Sequence, residues 1–127
     1  MKNIGFLLLA LLFSTFLTKN LFAQSPVEKV SQTLQSNNIS DLTNKFANSV
    51  QLILLEEDYN ATKVDATQLV QDFFQKMDLK GFQLKHNGSA PDGSQFAIGN
   101  MKGKEGSYRI YFVMKEDQIH EFCVETD

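Results

Sequence analysis

Cysteine and arginine each occur only once in this chain of 127 residues. Its one cysteine, Cys123, cannot form a disulfide within the chain, so packed apolar surface must supply the stability. Cys123 lies in a strand-like run and is expected to be a small apolar filler, with a reactive thiol or an intermolecular link as the alternatives. The single arginine, Arg109, argues against nucleic-acid binding, because phosphate contacts need clustered Lys and Arg.

Motifs for metal, nucleophile and phosphate chemistry are missing as well. The two histidines, His86 and His120, do not pair with acidic residues or cysteine at metal-ligating spacing, so we expect no metal and no cofactor. No Gly-X-Ser-X-Gly elbow occurs. The glycine-containing turns at 92–94 and 103–106 have no helix directly after them, so their amides are not aimed at an anion.

The one long apolar run lies at the start of the chain. Lys2 precedes the uncharged residues 4–17, and a small residue, Ala23, stands before Gln24. This pattern is typical of a secretory signal peptide, and the run is shorter than the roughly 20 residues that cross a membrane. We therefore predict cleavage after residues 1–23 and a protein that is exported, either periplasmic or secreted. The alternative is a retained membrane anchor.

The remaining residues, 24–127, have the size of one small domain. They carry ten basic and fifteen acidic side chains, which gives a net charge of about −5. We interpret this modest acidic excess as a contribution to solubility. After signal cleavage we expect no membrane attachment.

Helical spacing dominates the first half of this domain. The clearest case is a wide apolar stripe of Leu69, Val70, Phe73, Phe74 and Met77. We expect two helices first, over 26–34 and 41–47, and then a strand over 50–55 that is buried on both faces. An acidic turn over 56–60, a brief strand over 61–64 and a long helix over 65–77 should follow. Ser40 is expected to cap the second helix and Asp65 the third.

The second half alternates between apolar and polar residues, which predicts four consecutive antiparallel strands after Gly81. Phe82, Leu84 and His86 are expected to share one face of the first of these strands. Because helices and strands are segregated along the chain, the fold class is α+β. We expect a strongly bent antiparallel sheet with the long helix across its apolar face, forming a cone whose open end holds a ligand.

Three stretches resemble a known family: residues 61–66 leading into 70–74, residues 85–89 with 92–99, and residues 108–112. Together they resemble domain-of-unknown-function family 4783, small exported proteins of Bacteroidota, over nearly the whole domain. The resemblance implies the cone-shaped fold of the nuclear-transport-factor-2-like superfamily, also called SnoaL-like or cystatin-like. It implies no catalytic residue, because the family has no assigned activity.

Two hypotheses about function remain open from the sequence. The first is a non-catalytic exported module that binds a small apolar ligand in the cone or a protein partner on the sheet. The second is a small cone-fold isomerase or hydrolase that uses His86 as its acid–base group. The residues expected to line the ligand pocket are Leu69, Phe73, Phe82, Leu84, His86, Phe96, Ile110 and Phe112.

A homodimer is the second expected partner. Arg109, Tyr111 and Val113 alternate with core residues and should lie on the outer face of the sheet, a face that is partly apolar. Gln83, Lys85, Gln95 and Ala97 are expected to share that face. The superfamily usually covers such a face with a second copy of the sheet; the alternative is a monomer whose lysine stems cover it.

Overall fold

A six-stranded curved sheet with three helices makes up residues 24–127, the part of the chain that this computed structural model describes. The predicted signal peptide, residues 1–23, lies outside the described residues. The helices are α1 (Pro26–Gln35), α2 (Ile39–Asn44) and α3 (Lys63–Met77); the strands are β1 (Phe46–Leu54), β2 (Glu57–Thr62), β3 (Lys80–Ser89), β4 (Gln95–Gly103), β5 (Gly106–Lys115) and β6 (Gln118–Thr126). The α+β class and the predicted order of elements are confirmed. None of the described helices is long and apolar enough to span a membrane.

The first two helices begin at capping side chains. The Ser25 hydroxyl accepts a hydrogen bond from the Glu28 amide at 3.2 Å, and Pro26 follows at the first helical position. The second helix is capped by Asn38, whose side chain accepts from the Asp41 amide, so the predicted cap at Ser40 is wrong. This helix ends before the predicted 47, because Phe46 already belongs to β1 and is fully buried.

Strand β1 is buried on one face only, contrary to the prediction of burial on both. Val50, Leu52 and Leu54 point into the core, whereas Gln51 is exposed. The acidic turn predicted over 56–60 is also wrong, because the chain reverses within two residues, Leu55 and Glu56. Leu55 adopts a φ of +60°, which allows this tight reversal and pairs Glu57 directly with Leu54.

Helix α3 starts two residues earlier than predicted. The Thr62 hydroxyl accepts from the Asp65 amide at 3.2 Å, so Thr62 and not Asp65 is the cap. Asp65 instead lies in the first turn, where its charge complements the helix dipole. Val64, predicted to lie in a strand, belongs to this helix and is 77 % exposed. The helix ends at Asp78, which adopts a left-handed backbone conformation.

The sheet order is β2-β1-β6-β5-β4-β3. Strands β3 to β6 form the predicted antiparallel meander, but β1 and β6 pair in parallel, a long-range contact that the sequence analysis did not predict. Strand β6 therefore lies in the interior of the sheet, between β1 and β5. Its Phe122 is fully buried against Phe46 and Phe74, with ring centroids 6.0 and 6.2 Å away.

Two corrections concern which side chains face the helices. Strand β3 has a register shift at Lys85, because Leu84 pairs with Gly99 but His86 pairs with the next residue of β4, Ile98. His86 therefore lies on the face opposite to Leu84 and Phe82, and the predicted shared face is wrong. The ring of Phe82 packs over Gly99, where an added Cβ would come within 2.5 Å of it.

The second correction concerns β4. Ala97 is fully buried and pairs with the core residue Phe112, and Gln95 pairs with the buried Met114. Both therefore face the helices, and the prediction that they share the outer face is wrong. Their neighbours Phe96 and Ile98 occupy the outer side instead. We call this outer side, which the helices do not cover, the open face.

Candidate ligand-binding cleft

A cleft of about 780 Å³ opens between α3, the β1–β2 turn and the end of β6. It is about twice as large as a second depression, of about 370 Å³, on the open face. Its size lies within the range of small-molecule sites in proteins. The lining residues are Leu54, Leu55, Glu56, Glu57, Tyr59, Leu69, Asp72, Phe73, Lys76, Glu125 and Thr126.

The interior surface of the cleft is apolar and incompletely buried. Leu54 is 6 % exposed, and four further apolar or aromatic side chains are half-buried against the core: Leu55, Tyr59, Leu69 and Phe73. A half-buried apolar cluster in a concavity leaves surface that a ligand can remove from water. Leu55 lines the cleft from a left-handed backbone conformation, which is energetically costly for leucine.

Two adjacent phenylalanines on α3 separate the cleft from the core. Consecutive residues of a helix point about 100° apart. Phe74 points into the core, is 4 % exposed and contacts Phe122, whereas Phe73 is half-buried and lines the cleft. The predicted apolar stripe of this helix thus contributes to two surfaces, with Val70, Phe74 and Met77 in the core and Leu69 and Phe73 at the cleft.

Charged side chains surround the cleft unevenly. It is lined by four acidic residues, Glu56, Glu57, Asp72 and Glu125, and by one lysine, Lys76, but the Glu125 carboxylate itself lies on the open face beside Arg109. Glu125 is compensated, because Arg109 lies 2.8 Å from its carboxylate. Asp72 accepts a hydrogen bond from Gln68 at 2.9 Å, and neither Asp72 nor Glu56 or Glu57 has an ion-pair partner among the described residues.

The structure brings two of the eight predicted pocket residues, Leu69 and Phe73, to this cleft. It places the others elsewhere: Phe82, Ile110 and Phe112 are buried in the core, Leu84 packs at its edge, and His86 and Phe96 lie on the open face. Sequence reasoning missed the contribution of the β1–β2 turn. The acidic run that begins at Glu56, directly after an apolar strand, was the available signal.

The surroundings of His86 are not those expected of a catalytic acid or base. Its side chain is exposed, and its ring packs against Phe96 with the centroids 5.8 Å apart. It lines none of the cavities found among residues 24–127. His120 is half-buried near the β5–β6 turn. Within the same residues, no group of three or more His, Cys, Asp or Glu side chains is arranged to hold a metal ion.

The open face has a smaller depression of about 370 Å³. An apolar row crosses four strands there, because Ile53 pairs with Cys123, Cys123 with Tyr111 and Tyr111 with Ile98. Burial, together with the nearby Glu121 carboxylate, raises the pKa of the Tyr111 hydroxyl.

The thiol in this row is held in its neutral form. Cys123 is 8 % exposed, and burial, with smaller contributions from nearby carboxylates, raises its pKa to about 11. The thiolate is the reactive form of cysteine. The expected role of Cys123 as an apolar filler therefore fits its surroundings better than a reactive thiol does.

The chain matches a family model over residues 27–125, that of the Domain of unknown function (DUF4783). The chain belongs to this family. Among solved structures, a DUF4783 family protein from Bacteroides ovatus is 25% identical, with a TM-score of 0.69, and the match covers 77% of this chain and 92% of that one. No curated protein matches the chain significantly.

More distant structures share the fold alone. An NTF2-like protein of unknown function from Cytophaga hutchinsonii has a TM-score of 0.59 at 10% identity, covering 84% of this chain and 95% of that one. A putative polyketide cyclase from Sinorhizobium meliloti has a TM-score of 0.61, also at 10% identity, covering 79% and 93%. This DUF4783 member therefore has the NTF2-like, cystatin-like fold that the resemblance implied.

Proposed function

We propose that this DUF4783 protein is an exported, non-catalytic module that binds a small ligand with an apolar body in the cleft beside α3. The observation that carries the proposal is the concave cluster of half-buried apolar side chains, including Leu55, Leu69 and Phe73, in a cavity of ligand size. Export is supported by the sequence of residues 1–23.

Binding is favoured over catalysis by the surroundings of His86. A general base must reach the proton that it abstracts, inside a site that also holds the substrate. His86 lies on the open face, whereas the cleft lies on the helix side, between α3 and the β1–β2 turn. The isomerase or hydrolase alternative therefore has no specific observation in its favour.

The direct test is mass spectrometry of the small molecules that co-purify with the natively exported protein. Leu69→Asn should reduce the amount of bound molecule, because it places an amide in the apolar wall of the cleft. The matched control is Val64→Asn, a similar change on the same helix at a side chain that is 77 % exposed. Equal retention by both variants, each shown to be folded by circular dichroism, would contradict the proposal.

The open face supports a second proposal, self-association between two copies of the chain. A two-fold axis along the apolar row places the rows of both copies against each other. The same rotation brings Arg109 of one copy, together with its partner Glu125, towards Glu121 of the other, because Arg109 and Glu121 flank the row on opposite sides. The occupant that we propose for the apolar row is a second copy of the same face.

Light scattering at tens of micromolar protein measures this association. Tyr111→Glu places a charge in the middle of the row and should shift the protein to monomer. Val64→Glu adds the same charge on α3, away from the open face, and should leave the association unchanged. A wild-type protein that is monomeric under these conditions, and insensitive to Tyr111→Glu, would remove the idea.

A further inference from the structure

We infer that the ligand of the cleft carries a cationic head group on its apolar body. This inference rests on the proposed binding function and adds the charge of the ligand. The cleft combines two features: an apolar interior and a rim with more carboxylates than cations. The first feature selects for apolar surface, and the second for the sign of the group attached to it.

The distribution of partners decides which carboxylates are available. Glu125 forms an ion pair with Arg109, with 2.8 Å between the guanidinium and the carboxylate. The carboxylates of Glu56, Glu57 and Asp72 have no cation within ion-pair distance among residues 24–127, and all three residues are exposed. Lys76 is the one ammonium group that lines the cleft, so these three carboxylates outnumber it.

The positions of the charges favour a head group at the mouth and not in the interior. Glu56 lies in the β1–β2 turn, Glu57 is the first residue of β2, and Asp72 faces the cleft from α3. The apolar side chains of Leu54, Leu69 and Phe73 are more buried than these carboxylates. A cationic amphiphile can therefore place its apolar chain against α3 while its head group stays hydrated among the carboxylates, where it does not lose its solvation.

Three amphiphiles with the same apolar chain test the inference: decyltrimethylammonium, decyl maltoside and decyl sulfate, each below its critical micelle concentration. Titration calorimetry with the exported protein should give about tenfold tighter binding for the ammonium compound than for the sulfate in low salt. This factor corresponds to two or three exposed ion contacts of roughly 1.5- to 5-fold each. Raising the salt from about 10 mM to about 150 mM should reduce the difference.

Matched variants locate the effect. Glu56→Gln with Glu57→Gln should reduce the preference for the ammonium compound to about twofold. Glu116→Gln with Asp117→Asn removes two carboxylates from the turn at the opposite end of β6 and should leave the preference unchanged. Leu69→Asn should weaken binding of all three amphiphiles, because they share the apolar chain.

The outcomes separate the charge inference from the proposed function. If all three amphiphiles bind equally and Leu69→Asn weakens each, the apolar cleft is the site and the cationic preference is refuted. If the ammonium compound binds alone and Leu69→Asn has no effect, it contacts surface carboxylates only, and the inference is again refuted. If none binds, the proposed function fails as well.

Discussion

The adjacent pair Phe73 and Phe74 provides a sharp test of how α3 is oriented. Both residues are phenylalanine, both lie in the C-terminal half of the same helix, and each is changed to alanine, so helix propensity and side-chain chemistry are matched. Only their surroundings differ. Phe74 is 4 % exposed and packs against Phe122, whereas Phe73 is half-buried and faces the cleft.

The magnitudes follow from burial. Phe74→Ala removes a ring from the closed core and leaves a cavity, which should cost about 3–5 kcal/mol of unfolding free energy. Phe73→Ala loses roughly half of the transfer free energy of a phenylalanine, about 1 kcal/mol, and leaves no enclosed void because the cleft is open to solvent. The apolar pattern of the sequence does not distinguish the two residues. The structure assigns the larger cost to Phe74.

Urea unfolding followed by circular dichroism gives both values by linear extrapolation. The same two variants should differ in the opposite order when ligand binding is measured, because Phe73 lines the cleft and Phe74 does not. If Phe74→Ala is too unstable to study, Phe74→Leu gives a smaller loss of the same sign. Equal destabilisation by both alanine variants, or a larger loss for Phe73→Ala, would show that α3 is rotated relative to the sheet and would refute the assignment.

Three further predictions concern other parts of the chain. The pKa of Cys123 is raised from 9.0 to about 11, so its alkylation by iodoacetamide at pH 8 should be about 100-fold slower in the folded than in the urea-unfolded protein. Because the folded state prefers the neutral thiol, Cys123 stabilises the folded protein below pH 9, and this contribution to the unfolding free energy should decline as the pH rises towards 11. Similar rates in both states would contradict the burial. Glu116 and Asp117 have φ values of +52° and +65°, which are typical of a type I′ turn. Glu116→Asn with Asp117→Gly should therefore stabilise the protein by about 1 kcal/mol, measured by thermal unfolding. A loss of stability in this variant would argue against a type I′ turn. The intact mass of exported protein should correspond to a chain that starts near Gln24, and a full-length mass in a membrane fraction would exclude signal cleavage.

The sequence predicts the parts of the fold whose signal is local. The period of the apolar residues identifies α3, and strict alternation identifies β5, with Arg109, Tyr111 and Val113 opposite the core. The cap of α3 is less determined, because both Thr62 and Asp65 are good capping residues. The structure uses the hydroxyl of Thr62, and a regular pattern does not reveal which oxygen meets the free amides.

The parts that the sequence did not predict depend on long-range contacts or on a single backbone angle. The shift at Lys85 moves His86 to the open face, and alternation alone cannot indicate such a bulge. The tight turn at Leu55 requires a positive φ at a leucine, a residue that normally avoids it. The cleft is formed by this turn together with α3, and the sequence pattern does not reveal how these two segments lie relative to each other.

The position of β6 in the interior of the sheet also bears on when the chain can fold. Strand β1 has its parallel neighbour more than sixty residues later in the sequence, since Leu52 pairs with Phe122. Contacts between residues so far apart slow folding, because the intervening chain must be ordered before they form. Until residues 118–126 have emerged, β1 and β2 form only a hairpin that lacks its sheet, and isolated hairpins are barely stable in water. For the export route that we propose, the sheet can be completed only after residues 118–126 have been synthesised.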